Sequence, residues 1–373
     1  MINKTGMKSI YAIIIGALLY CLPAGAQQRV IDATDSIPVA VASIFDANGN
    51  VIGYTLADGT FSEISAEAYP ITLRCLGYEP LVIEQPKDTV WKMKPCFFDM
   101  LELVVVPVER NVLKQTFYVR EYFSISNETD TVTYFSEHMA HRFVPASKGA
   151  KTGISSSMHL DCTRSYSRHK DADKDSVAMD DKSEFPFMLS LIEVTDKEVT
   201  APKDFMTQSD GTKVYEKSGK SGVLPIKKQI GQVFSYTMDG LADMENHIYS
   251  PWALKLLGMT MDINQMYITR AFRVNNEGHY IENDLLQSNF VMEAECRGKY
   301  IRKILDSDKP VLMRMMAETY VVEREYFSKE EAKAERKKVA SKTDFVIPSD
   351  VPSLNDATQR MVNRAKAESN QIR

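Results

Sequence analysis

Residues 38–81 constrain the fold more than any other part of the chain. They read as short apolar runs separated by tight turns. Val39 and Val41 alternate with Ala40 and Ala42, and Asp46-Ala47-Asn48-Gly49 then turns the chain. Asn-Gly is a strong hairpin signal, because both residues tolerate positive φ. Residues 51–56 supply the return strand, Ala57-Asp58-Gly59 turns again, and Thr60-Phe61 opens the next run. Residues 71–76 are β-branched and apolar enough for a buried strand, which Gly77-Tyr78 breaks. Strands at this spacing predict a β-sandwich.

Three pieces carry a family resemblance: Pro38-Val39, Leu56-Ala57-Asp58-Gly59-Thr60-Phe61 and Leu76-Gly77-Tyr78-Glu79. Together they resemble the carboxypeptidase regulatory-like domain, a small prealbumin- or immunoglobulin-like sandwich frequent in Gram-negative envelope proteins. Leu101-Glu102-Leu103-Val104-Val105-Val106 resembles the segment that trails this domain. The likeness covers about residues 29–106, within a domain read as 27–106. The family opens with Gly before its first strand, whereas here the run is Arg29-Val30-Ile31. The resemblance implies a non-catalytic accessory module and brings no catalytic residue with it.

Residues 1–26 read as a secretory signal peptide. Lys4 and Lys8 precede an apolar run over 10–22, and Ala24-Gly25-Ala26 suits cleavage. Tyr20 stands before Cys21 where a lipid-attachment motif needs a small residue. Losing two lysines and no acids takes the formal charge from −5 to −7, which argues against nucleic acid or an anionic membrane surface as main partner. Cys75, Cys96, Cys162 and Cys296 remain. An oxidising compartment allows them to pair, and the sequence leaves all three full pairings open.

Residues 107–345 predict an α+β region built on an antiparallel sheet. Phe117, Val119, Phe123 and Ile125 share one strand face; residues 131–135 form another strand. Met266, Ile268, Phe272 and Val274 alternate with Tyr267, Thr269 and Arg273, and residues 290–296 and 311–322 are further strands. The charged residues 165–183 predict an exposed loop or a disordered insertion, and residues 241–257 a helix that Pro251 kinks or restarts. Ser328-Lys329-Glu330-Glu331 has capping-box spacing for a helix to about residue 340. Residues 346–373 predict a linker followed by a helix that Ser353 caps. The fold class is therefore mainly β with α: a sandwich, then an antiparallel α+β region with C-terminal helices.

No residue takes a catalytic, cofactor-binding or metal role. His138 and His141 would share a helix face, but a zinc-peptidase pair needs four-residue spacing with Glu beside the first His, and their context is strand-like. Asp171, Asp173 and Asp175 have Ser176 and Lys182 where a calcium loop needs Gly and Glu. Gly219-Lys220-Ser221 has Val214 where a phosphate loop needs its first Gly. Ser167-Arg168-His169-Lys170 lies in the expected loop, a poor place for a nucleophile. The carboxylates Glu318, Glu323 and Glu325, with Arg314 and Arg324, fit cross-strand pairing better than acid–base work. The reading that follows is an exported, periplasmic or outer-membrane-associated, non-enzymatic envelope protein. It would need no cofactor, would hold no membrane span after leader cleavage and would bind an envelope protein, glycan or peptide. An exported hydrolase, metal-dependent if His138 and His141 are ligands, is the alternative.

Overall fold

A computed structural model describes residues 28–96, 110–146, 158–171, 173–180, 258–274, 280–305, 309–337 and 351–371. It also describes short pieces within 205–249 and 345–349. The expected leader, the 101–106 segment and Gly219-Lys220-Ser221 lie outside the described residues.

The small N-terminal unit holds β1 (Arg29–Asp32), β2 (Ser43–Phe45), β3 (Val51–Tyr54), β4 (Ile71–Arg74), β5 (Leu81–Ile83) and β6 (Val90–Met93). Four strands form a sheet in the order β3-β2-β4-β5; β1 and β6 pair in parallel. Val30, Ile44, Phe61, Ile71, Leu73 and Met93 fill the space between them. The expected Asn-Gly hairpin joins β2 to β3. Gly49 has φ 84°, and Asp46 Oδ1 accepts the N–H groups of Asn48 and Asn50, each at 2.8 Å. Gly59, at φ 77°, has no room for a side chain: an added Cβ would sit 2.3 Å from the Val30 carbonyl oxygen.

The larger part contains β7 (Val112–Ser126), β8 (Thr131–Pro145), β9 (His159–Lys170) and β10 (Asp175–Asp180). Next come the short β11 (Phe205–Thr207), β12 (Lys213–Tyr215) and β13 (Leu224–Ile226), which pair with one another. They are followed by β14 (Val233–Asp239), β15 (Ile248–Tyr249), β16 (Met259–Val274), β17 (Tyr280–Gly298) and β18 (Val311–Phe327). The described helices are α1 (Lys299–Leu305), α2 (Lys329–Glu335) and α3 (Asp356–Gln371). One antiparallel sheet runs β10-β9-β8-β7-β18-β17-β16-β14, with β15 also on β16. Mainly β with a few helices, as expected, is the architecture.

The sheet is bent. β8 and β16 stand four strand steps apart, about 19 Å on a flat sheet. α1 nevertheless touches both, so the sheet curls round it. Register shifts in β16, β18 and β9 supply local bends. The inner face buries Phe117, Val119, Phe290, Met292, Met313 and Met315 with Ile301 and Leu305 of α1. The outer face carries an aromatic row in which Phe45, Tyr122, Phe135 and Tyr166 follow one another at 5.2, 5.1 and 6.2 Å between ring centroids. Val51 and Tyr54 from the N-terminal unit and Met361, Val362 and Ala365 from α3 pack into the same core.

Three expectations are corrected. Within 165–183, residues 165–170 and 175–180 are not a loop: they belong to the β9–β10 hairpin at the edge of the sheet. Tyr166 is buried in the outer core, with Val177 and Met179 against it; edge ion pairs account for the hairpin's charged composition. Within 241–257, the described Ile248–Tyr249 is strand, paired to β16; most of that stretch lies outside the described residues. The last helix is capped by Asn355, whose Oδ1 accepts the Thr358 N–H at 2.7 Å, while the Ser353 carbonyl is used elsewhere. The capping box at Ser328 and Glu331 is present as expected.

A candidate binding cleft between the N-terminal unit and the sheet

β17 and β18 lie side by side, with Gln287 opposite Tyr320 and Asn289 opposite Glu318. Alternation puts all four side chains on the outer face. β4 ends over them at Arg74. The chain then turns through Gly77, at φ 82°, and Tyr78 anchors the turn by donating its hydroxyl to Asp32 Oδ2 at 2.9 Å. Gly77, Tyr78 and Pro80 form one wall of a cleft, Pro352 another, and Gln287, Asn289, Glu318 and Tyr320 the floor. The cleft is shallow: the space it encloses is about 10 Å³, room for roughly one water molecule.

Arg74 and Glu318 are the charged pair of this floor. Arg74 Nη2 donates to both carboxylate oxygens at 3.0 Å, and Nε adds a bond to Oε1 at 3.1 Å. The side chains are 2% and 9% exposed. Burial alone would pull the guanidinium down, but the Glu318 carboxylate holds it charged, well above its ordinary range. Its remaining arm, Nη1, donates to the Ser353 carbonyl at 2.8 Å. Arg120 does the same for Pro352, at 2.5 Å, so two buried arginines hold the 352–353 strap against the sheet. Arg120 is itself positioned by the Tyr118 hydroxyl, which donates to Glu137 Oε1 at 2.5 Å. Burial pushes the Tyr320 phenol well above its usual range and the Tyr122 phenol up to about 12. All these phenols are neutral at physiological pH.

Two floor side chains are not satisfied. Gln287 and Asn289 are each 3% exposed, yet Gln287 Oε1 and Asn289 Oδ1 have no hydrogen-bond partner among the described residues. Buried amide oxygens are ordinarily paired, and leaving one unpaired costs about 1–3 kcal/mol. The cleft offers recognition but no reaction machinery among its lining residues. The Glu318 carboxylate is occupied by Arg74, and the Cys75 thiol faces the Ala40 carbonyl at 3.7 Å.

The candidates read from the sequence fall elsewhere. His138 and His141 lie on β8, where a separation of three turns them to opposite faces. His138 is fully enclosed between Glu121 Oε2, 3.1 Å from Nε2, and the Thr163 hydroxyl, 2.7 Å from Nδ1. His141 pairs with Asp161 at 2.7 Å and stacks on His159. They cannot share a metal. Among the described residues no three His, Cys, Asp or Glu side chains gather as a metal site. Asp171 closes the β9–β10 turn by accepting the N–H groups of Asp173 and Lys174, and Asp175 pairs with Arg168 and Arg364. Ser167-Arg168-His169-Lys170 lies in β9. The expected cross-strand pairing holds for Arg314 with Glu293 and for Lys114 with Glu325; Arg324 donates instead to the Leu285 carbonyl. Glu318 departs from it, because its partner is Arg74 in another unit. Among the described residues, Cys75, Cys96, Cys162 and Cys296 are not joined in disulfides. Sequence reasoning alone misses Arg74, although a lone arginine inside an apolar strand is a signal that a buried partner exists.

No protein-family model matches the chain, and no curated protein matches it. A solved structure described as lipid–protein interactions in lipovitellin aligns over 58% of this chain with 6% identity and a TM-score of 0.26. The chain spans 26% of the length of that protein. A likeness that slight bears on neither fold nor function.

Proposed function

We propose that this protein is an exported, non-enzymatic component of the cell envelope, periplasmic or outer-membrane-associated. In this reading the N-terminal unit is a carboxypeptidase regulatory-like sandwich that acts jointly with the sheet as a binding module. Its ligand is an envelope partner, a glycan or a peptide. The observation that supports this is the cleft where the two parts meet, with its paired charges and its two buried amide oxygens that find no partner among the described residues. The signal-peptide-like leader supports export, and the acidic balance disfavours nucleic acid. No helix among the described residues is long and apolar enough to cross a membrane.

The metal-dependent form of the hydrolase alternative rests on His138 and His141, which face opposite sides of β8; His138 is completely enclosed and offers no face to a substrate, so binding is the better reading. The test is fractionation of cells expressing the tagged full chain, followed by cross-linking in the native envelope and mass spectrometry. Recovery with the envelope fraction, together with a repeatable envelope partner or glycan, is the expected result. A cytoplasmic, uncleaved chain would refute it.

A further inference from the structure

We infer that the N-terminal unit opens away from the large sheet as a folded body, and that the junction between them is a releasable latch. This goes beyond the binding-module reading and does not depend on it. Three features of the junction carry it. First, the unit has a core of its own. Val30, Ile44, Phe61, Ile71 and Leu73 lie in it, apart from the core at the junction. To the junction the unit contributes an apolar set of Val41, Phe45, Val51 and Tyr54. A unit with its own core need not unfold in order to leave, and joints between units move unless they are large and apolar.

Second, closing the junction serves its polar groups badly. Ser43 shares a strand face with Phe45 and is fully buried, yet its hydroxyl has no hydrogen-bond partner among the described residues. The same holds for the hydroxyl of buried Tyr122 and for the amide oxygens of Gln287 and Asn289. The Tyr54 hydroxyl faces two carbonyl oxygens, of Met292 at 2.9 Å and of Met315 at 3.0 Å, but has one hydrogen to give. Arg74 and Glu318 give up their hydration for a single ion pair. A permanent core is built from polar groups that burial satisfies. Here solvent would serve each of these groups once the unit lifts.

Third, Val41 stands at φ 60°. A β-branched residue at positive φ is an outlier, and such strain persists only where the surroundings hold it. Docking presses this side chain into the junction core, where it is 2% exposed. Against these costs stand the edge-on contact of Phe45 with Tyr122, 5.2 Å between centroids, and the Val51 N–H on the Ser124 hydroxyl at 3.3 Å. Opening uncovers the Tyr122 ring and the β17–β18 floor, which the closed state hides.

The experiment is thiol labelling of the mature full chain carrying Ser43→Cys, mapped by mass spectrometry under native conditions. Buried Cys296 is the internal reference for global unfolding. The thiol at position 43 should label at least about tenfold faster than Cys296 and with a weaker denaturant dependence, because a local opening exposes less surface than unfolding does. Tyr122→Phe and Gln287→Leu each remove a polar atom that the closed state leaves without a protein partner, so each should slow the labelling about threefold or more. Asn289→Cys puts the thiol on the sheet side of the junction. It should give the same rates, and it reports the same opening where Ser43→Cys fails to fold. Labelling in step with Cys296 at both positions overturns the inference, because the unit then leaves only when the whole protein unfolds. Labelling that Tyr122→Phe and Gln287→Leu both leave unchanged, or speed up, overturns it too.

Discussion

Replacing Arg74 by Met should be among the most damaging single changes available in this molecule, and a second change should undo most of the damage. Arg74→Met leaves the Glu318 carboxylate, 9% exposed, without its partner. Breaking a buried ion pair from one side costs about 3–5 kcal/mol. Loss of the bond to the Ser353 carbonyl adds about 1 kcal/mol. Glu318→Leu strands the guanidinium and should likewise cost about 3–5 kcal/mol. Were the two independent, the double variant would lose about 7–11 kcal/mol, enough to unfold most domains. With the pair removed together, Met and Leu fill similar space with no stranded charge. The double variant should then lose only about 1–2 kcal/mol, chiefly the Ser353 bond. Guanidinium unfolding followed by tryptophan fluorescence measures all four corners of the cycle. Losses that add to within about 0.5 kcal/mol would show that the two residues do not act as a pair and would sink the account of the cleft floor.

Other parts of the molecule give equally direct expectations. Arg168 and then Arg364 hold the Asp175 carboxyl down to about 2, below its unfolded value of about 3.9. The resulting stabilisation is present above about pH 4 and fades as pH falls towards 2; at 39% side-chain exposure it is worth less than about 1 kcal/mol. Asp175→Asn should therefore lower the thermal midpoint slightly at pH 6 and not at pH 2, and an equal effect at both would be inconsistent. Gly59→Ala should cost about 2 kcal/mol or more, because φ 77° and the Val30 carbonyl 2.3 Å away both oppose a side chain. Gly53→Ala, with nothing within 4 Å, should fall within about 0.5 kcal/mol of the parent; equal chemical-denaturation midpoints for the two would contradict this. Burial pushes the Cys296 thiol up to about 12, so thiol labelling mapped by mass spectrometry should modify Cys162 in the native protein and Cys296 only after unfolding.

The sheet was legible because alternation is a local property. Phe117, Val119, Phe123 and Ile125 share a face, as do Met266, Ile268 and Phe272, and each set lies in the inner core. The β9–β10 hairpin was not legible, because an edge strand carries few apolar residues and takes its support from ion pairs. The cleft was less legible still. Arg74 and Glu318 are 244 residues apart, and nothing in either neighbourhood names the other. What the chain does display is local discord: an arginine inside residues 71–76, and Gln287-Ser288-Asn289 between the apolar Leu285-Leu286 and Phe290-Val291-Met292. Polar side chains in buried runs must find partners. Here the arginine finds one, while among the described residues the two amide oxygens do not.

The outer core has a consequence for the order of assembly. Val51 and Tyr54 on one side and Met361, Val362 and Ala365 on the other close over the same aromatic row, although more than 300 residues separate them. On a growing chain the N-terminal unit can dock on Tyr122 and Phe135 once β7 and β8 have emerged, but the other side of that core stays open until α3 has been made. Contacts of such sequence separation form slowly, and an apolar flank left waiting is an invitation to chaperones. Removing residues 354–373 should make that wait permanent: the truncated chain should bind a hydrophobic dye and aggregate where the full chain does not. A truncated chain as soluble and dye-silent as the parent would mean that the last helix is not the closing piece.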